Sequence, residues 1–499
     1  MYARTLSVAL YGIETLEIEI QCQLTNDTPS FQIVGLGSKA ISEAKERVKA
    51  AINSLGISLP CQRIIINLAP SAIIKEGSHY DLPIILAILA AMKVIRQQDI
   101  ENRIFAGEIS LNADIKPTTG ILPIAIHSVK SEKELFCPYD NYEEAYFSGN
   151  QKIFAANNIL QLIQFFRGET TIANPTINIS QKNKTYHKDF AEISGHIIAK
   201  RALTIAAAGK HNILMIGPPG CGKTMLAEAF PSILPSPDTE EILETSMIYS
   251  IAGKLTKGLK HDIPYRAPHH TASNISIIGG GKNAKPGEIS IAHNGILFLD
   301  ELPEFNQSTI DSLRQPIESG EITISRAEKI VNYPAKFQLI SAMNPCKCGN
   351  FFEDNTNCSL IPFCSEKYMS KISGPILDRF DIIVKLSYQK LSITDSNQIT
   401  SELIKNTVTK SRAIQKNRLK KYKIATNNEM SPKIIKQEYS NNVSVHEFIE
   451  KLNDKNFTSR SIFKIIKLAQ TIADIDNNGN IEKSQLFEAL QCKNFIKKN

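Results

Sequence analysis

The chain has 499 residues, 42% of them hydrophobic and 21% charged, with a formal net charge of +7. That length exceeds one hydrophobic core, and the composition is that of an ordinary globular protein, so two to four domains are expected and a disordered or fibrous chain is excluded. No apolar run approaches the ~20 residues a membrane helix needs, so no membrane partner is expected.

The opening stretch MYARTLSVALYGIETLEIEI alternates and meets Glu14 before a signal-peptide core can form. It reads as a strand, and the protein as cytoplasmic. FQIVGLG is a second strand, SKAISEAKERVKAAINSLGI an amphipathic helix, RIIINLAP a strand, and DLPIILAILAAMKVI a buried helix. Residues 1–168 are therefore α+β or α/β material. Residues 169–188 are polar, without helical period, and read as a linker. An α/β motor unit follows over 189–390, and a helical part over 391–499. Between Lys405 and Glu438 lie ten Lys/Arg and two Asp/Glu. That excess suits either a phosphate-binding surface or a solvated helical pair.

The motor unit carries its chemistry in order. GPPGCGKT spans Gly217, Pro218, Pro219, Gly220, Cys221, Gly222, Lys223 and Thr224, between the apolar NILMI and the helical MLAEAF. Strand, glycine loop and helix are the context of a phosphate-binding loop. Its backbone N–H groups and the helix N-terminus would face phosphate oxygens, Lys223 would reach the β- and γ-phosphates of ATP, and Thr224 would hold Mg²⁺. GILFLDELPEF then delivers Asp300 for the Mg²⁺ shell and Glu301 as general base for the attacking water. FQLISAMNP ends at Asn344, placed to orient that water. SGPILDRFD supplies Arg379, and Arg460 opens the helix TSRSIFKIIKLAQTIAD. A cation in a helix's first turn opposes the dipole unless an anion compensates it, and nucleotide is one such anion.

Nine cysteines, an odd number, argue against a disulfide framework. Cys22, Cys61, Cys137, Cys221 and Cys492 are scattered and read as incidental thiols. Cys346, Cys348, Cys358 and Cys364 cluster as C-x-C-x9-C-x5-C, a donor set suited to tetrahedral Zn²⁺.

Taken together, AKRALTIAAAGKHNILMIGPPGCGKT, YRAPHHTASNISIIGGG, PGEISIAHNGILFLDELPEF, RQPIESGEITISRA, SAMNPCKCG and SGPILDRFD resemble the magnesium-chelatase-like branch of the AAA+ ATPases, and within it the YifB/ComM family. The resemblance implies an AAA+ core with a helical C-terminal lid. It makes Lys223 and Thr224 Walker A residues, Asp300 and Glu301 Walker B, Asn344 sensor 1, Arg379 an arginine finger and Arg460 sensor 2. It also implies two inserted β-hairpins, roughly SIIGGGKNAKPGEISIA and ESGEITISRAEKIVNYPA. Lys282, Lys285, Arg326 and Lys329 on them are candidates for DNA backbone contact, or equally for solvated surface lysines and arginine.

The N-terminal region is similar to the proteolytic domain of Lon-type proteases. The serine position of such a site is held by His79 and the lysine position by Leu122, so no nucleophile can be activated there. What the resemblance implies as a whole is a hexameric DNA helicase promoting branch migration as incoming single strands are integrated during natural transformation, with recombination proteins as possible partners. A chelatase-type or protein-remodelling motor is the alternative.

Overall fold

The expected N-terminal strand is in fact two. β1 (Tyr2–Tyr11) and β2 (Glu14–Thr25) pair antiparallel from Tyr2↔Gln23 to Tyr11↔Glu14. The reversal turns on Gly12, whose φ of +61° lies in the left-handed region. A Cβ there would sit 2.3 Å from the Asn332 carbonyl oxygen of the motor unit, so the close approach as well as the turn demands glycine.

The computed structural model describes residues 1–35, 39–177, 188–256, 258–281, 284–326, 329–348, 351–352, 355–356, 363–388, 399–453, 457–476 and 479–493. With β3 (Ser30–Val34), β4 (Arg63–Ala69), β5 (Arg103–Phe105), β6 (Glu134–Pro138) and β7 (Ile153–Ala156), the N-terminal unit forms a mixed sheet in the order β3-β4-β2-β1-β5-β6-β7. Helices α1 (Lys39–Ser54) and α2 (Asp81–Ala91) share its main core. Every residue of α2 is buried, including Asp81, which takes Arg47 of α1 at 2.7 Å. Helix α3 (Ile121–Lys130) packs in a second cluster with Val8, Ile104 and Leu135. At the β7 edge the Asn174 side chain donates to the Ile153 carbonyl and accepts from the Ala155 amide. The first part of the expected linker thus caps the sheet, while 178–187 lie outside the described residues.

His79 is buried with Nε2 on the Val8 carbonyl, Leu122 is fully buried, and the Ser78 hydroxyl donates to Glu108. Lys75 donates to the Gly35 and Pro70 carbonyls. The hydroxyl of Ser78 therefore faces a carboxylate, and the Lys75 ammonium two backbone carbonyls.

The motor unit opens on α4 (Ile197–Gly209), then β8 (Ile213–Ile216), α5 (Lys223–Ala229) and α6 (Thr239–Ile251). β9 (Tyr265–Arg266), β10 (Ile296–Leu299), β11 (Gln338–Met343) and β12 (Ile382–Lys385) complete an all-parallel sheet ordered β9-β10-β11-β8-β12. β8, β10 and β11 are buried along their whole length, which is why they read as unbroken apolar runs. In such a sheet ligands collect at the carboxyl ends of the strands, where the order reverses about β8.

The two inserted segments differ. The second is a hairpin, Glu321–Arg326 paired with Lys329–Pro334 and entered from α7 (Arg314–Ser319). The first departs from the expected pair of strands. Its ladder is only Gly279–Gly280 against Lys285–Pro286, flanked by short helices Asn274–Ile278 and Glu288–Ile291. The hairpins pack on each other, with the Tyr333 hydroxyl donating to the Ala284 carbonyl at 3.0 Å. Helix α8 (Gly374–Leu377) precedes β12.

The lid comprises α9 (Ser401–Leu419), α10 (Ser459–Ile475) and α11 (Lys483–Lys493), and it shares one core with α4 and β8. Four cations of the basic stretch are engaged within the chain. Arg412 donates to the Ala207 carbonyl, Arg418 pairs with Asp474, Lys421 with Glu438, and Lys416 approaches Asp238. Arg412 and Arg418 of that stretch therefore brace the lid, while Lys416 and Lys421 stay largely exposed. Among the described residues no helix is long and apolar enough to cross a membrane.

Candidate active site

The glycine loop leaves the carboxyl end of β8, with Gly220 at φ +74° and Gly222 at φ +88°, and feeds directly into α5. Lys223, first in that helix, is buried. Its ammonium donates to the Gly217 and Pro218 carbonyls at 2.8 Å each and to Asn344 Oδ1 at 3.1 Å. Burial pulls its pKa below the ordinary lysine value. Next in the helix, the Thr224 hydroxyl donates to Asp300 Oδ2 at 2.8 Å, so a hydroxyl and a carboxylate suited to Mg²⁺ already stand together.

β10 places Asp300 and Glu301 beside β8 because β11 lies between those two strands and pairs with both. Asn344 follows β11. Glu301 adopts φ +50°, uncommon for a residue with a Cβ. Its amide donates to Asp300 Oδ1 at 2.9 Å, and its carboxylate lies 3.2 Å from His270 Nδ1. The His270 ring rests on His269 and meets the edge of Phe305. Strain of this sort concentrates at functional positions. Tyr388, just beyond β12, donates its hydroxyl to the Pro219 carbonyl at 3.0 Å and keeps its ring exposed.

The structure gathers Lys223, Thr224, Asp300, Glu301 and Asn344 into one site. Arg379 and Arg460 form a second. Arg379, following α8, is nine-tenths buried, and its Nη2 lies 2.5 Å from Glu318 Oε1. Arg460 Nη2 lies 2.9 Å from that same oxygen, and its Nε lies 2.9 Å from Asp378 Oδ2. No hydrogen bond or ion pair among the described residues joins either arginine to the first site. The anion offsetting the cation at the start of α10 is thus supplied here by carboxylates of the chain itself.

Sequence reasoning missed Glu318, Tyr388 and the contact of His270. The histidine stood in a recognised motif, RAPHH, yet nothing in that motif says which carboxylate it would meet.

Cys346, Cys348 and Cys364 lie with their sulfurs within 4.8 Å of one another, Cys346 buried and Cys364 in the helix Phe363–Met369. The Cys346–Cys348 and Cys348–Cys364 separations of 3.2 and 4.0 Å bracket the roughly 3.8 Å that sulfurs of a tetrahedral site with Zn–S near 2.3 Å require. The three thiols fit zinc. Cys358, the expected fourth ligand, lies outside the described residues, as does Lys282. Lys285 is exposed on the first hairpin, and Arg326 pairs in register with Lys329 at the end of the second.

Family models cover most of the chain. Residues 189–393 match the magnesium chelatase subunit ChlI, 20–141 match a further model of that subunit, and 398–493 match its C-terminal region. The competence protein ComM of Haemophilus influenzae is 38% identical, over 98% of this chain and 97% of its own length. The chain belongs to the ComM/YifB family. The uncharacterized protein YifB of Salmonella typhimurium is 36% identical over 97% of this chain and 96% of its own, and that of Escherichia coli 34% over the same shares. As a ComM/YifB protein it is a magnesium-chelatase-like AAA+ ATPase, which agrees with the parallel sheet and the phosphate loop described above.

Proposed function

We propose that this ComM/YifB protein is a hexameric, ring-forming, cytoplasmic DNA motor: a helicase that drives branch migration during integration of single-stranded DNA. In that reading Lys223 binds the β- and γ-phosphates, Thr224 and Asp300 hold Mg²⁺, and Glu301 takes the proton of the water that Asn344 orients. Bound Mg²⁺ would neutralise the charge developing on the phosphates. Arg379 and Arg460 stabilise that charge on a neighbouring copy's nucleotide. The observation that carries the reading is that the phosphate loop follows the carboxyl end of β8 while Arg379 precedes the amino end of the parallel strand β12, an arrangement that a second copy could complete.

The cationic tip of the first hairpin, GGGKNAKPG with Lys282 and Lys285, supports DNA as the substrate. Lys282 and Lys285 would meet its phosphates, with Arg326 and Lys329 of the second hairpin as further candidates, as a polar, cationic tip suits a phosphate backbone better than an unfolded polypeptide. Zinc on Cys346, Cys348, Cys358 and Cys364 would brace the segment that joins Asn344 to Arg379. The N-terminal domain, read as a non-proteolytic Lon-like unit, serves assembly or partner contact.

The test is ATP turnover by the full-length protein with and without single-stranded and forked DNA, together with strand displacement from a three-way junction, beside a Glu301→Gln control. DNA-stimulated turnover with ATP-dependent displacement, both lost in the control, is expected. Turnover indifferent to DNA, without displacement, would instead favour the chelatase-like or protein-remodelling alternative.

A further inference from the structure

Glu318 stands where the second hairpin, the segment carrying Arg379 and the lid meet. It belongs to α7, two residues before Gly320, and Gly320 at φ +70° is the joint into the second hairpin. The hairpin closes on that joint, the Ala335 amide donating to the Gly320 carbonyl at 2.7 Å. The other end of α7 is fixed to the element that carries Arg379. Asp311 accepts from the Ser373 hydroxyl at 2.9 Å, and Arg314 reaches both Ser373 and Asp311, just ahead of α8. One oxygen of Glu318 then receives a guanidinium nitrogen from Arg379 and another from Arg460. Arg379 Nε is buried without a hydrogen-bond partner among the described residues, so the guanidinium is only partly satisfied by the chain itself.

We infer that Glu318 is a positioning residue that clasps Arg379 and Arg460 and couples them to the second hairpin. A carboxylate shared between two guanidinium groups holds them side by side and cancels part of their charge. While it does so, the pair offers less positive potential to a neighbouring copy's triphosphate. Displacement of the hairpin by a bound strand acts on α7 through Gly320, draws Glu318 away and frees the Nη2 of each arginine, while Asp378 stays beside both. The clasp rests on the reading of these arginines as acting across a subunit boundary.

The experiment measures turnover against ATP concentration for the full-length wild type, Glu318→Gln, Glu318→Asp, Arg379→Ala and the Glu318→Gln/Arg379→Ala double variant, each with and without single-stranded DNA. Glu318→Gln is expected to raise the DNA-free kcat about two- to fivefold, the range that loss of a half-exposed ion pair supplies. KM should stay unchanged, because the chain's own phosphate site is untouched. Glu318→Asp should keep the wild-type rate, and the double variant should lose the gain. A structural role alone would lower stability and kcat without reference to Arg379. A DNA-free kcat that falls or stays level in Glu318→Gln, or a gain that survives Arg379→Ala, overturns the clasp. Full turnover by the Arg379→Ala single variant would instead overturn the cross-subunit reading, and the clasp with it. A wild type that ignores DNA would sink the DNA-motor reading, while the DNA-free rates still decide the clasp.

Discussion

Glu301 sits at the end of a strand whose preceding residues are all buried, so its backbone is fixed while its side chain meets His270. Replacing it by Gln keeps the shape and removes the proposed base. ATP binding, followed with a fluorescent analogue, should persist while turnover falls by about 10²–10⁴, the usual worth of a general base. Equal loss of binding would point to a structural defect instead. The cysteines make a separate claim at this scale. Purified protein should carry about one zinc per chain, as expected of a closed thiolate site, and Cys346→Ser should lose it on elemental analysis. Wild-type protein that never binds zinc would remove the metal from the account.

At the scale of elements, the N-terminal unit meets the motor through the turn at Gly12. An alanine there would pay the left-handed backbone cost of about 1–2 kcal/mol and would have to move Asn332 as well. Gly12→Ala should lower the thermal midpoint and open the junction to limited proteolysis, and an unchanged midpoint would show that the contact is not held. The lid is anchored more deeply. Asp381, buried after Arg379, accepts from the Asn212 amide at 3.1 Å and pairs with Lys464 of α10 at 3.0 Å. Burial alone would raise its carboxyl, but the Lys464 ammonium and His211 outweigh that and hold it below the usual carboxylate range. Such a group contributes stability that is complete above its unfolded pKa of about 4 and disappears as pH falls toward the folded value. The thermal midpoint of the wild type should therefore drop faster than that of Asp381→Asn on acidification below about pH 5; parallel curves would exclude the pair as the source.

These elements also mark what could be read from the chain in advance. The phosphate loop and the strands behind it were legible because their signals are contiguous: glycines before Lys223, and buried runs ahead of Asp300 and Asn344. The second hairpin was legible from its alternation. The first was legible only in part: its antiparallel pair is there, but the two isoleucines before the glycines belong to a helix, and so short an apolar run does not separate strand from helix. The Ser273 side chain, accepting from the Ser276 amide at 3.2 Å, caps a helix there. The two N-terminal strands merged because Gly12 was the lone turn signal between alternating runs. Glu318 and His270 were invisible because their partners are distant in sequence and are brought near only by the parallel sheet and its insertions.

At the scale of the whole molecule, the proposed action of the arginine pair on a neighbouring copy's nucleotide predicts complementation between two defective chains. Chains carrying Arg379→Ala retain an intact pocket, and chains carrying Glu301→Gln retain intact arginines. Each should be inactive alone, yet mixed before assembly they should recover turnover at the interfaces that join one intact pocket to one intact pair. A mixture as inactive as its parts would show that both groups serve the same copy.

The partners of Lys223 have one more consequence. Its ammonium already holds two loop carbonyls and Asn344, and Thr224 already holds Asp300. An arriving triphosphate therefore trades hydrogen bonds rather than adding them, and part of its gross attraction is spent on the exchange. The same trade runs in reverse when product departs. The lysine, the hydroxyl and both acceptors fall back on one another, so no buried charge is stranded and the leaving step is not held up by the cost of baring one. An engine that must cycle has reason to grip its fuel less tightly than its chemistry would allow, and here the loop that grips also supplies the means of letting go.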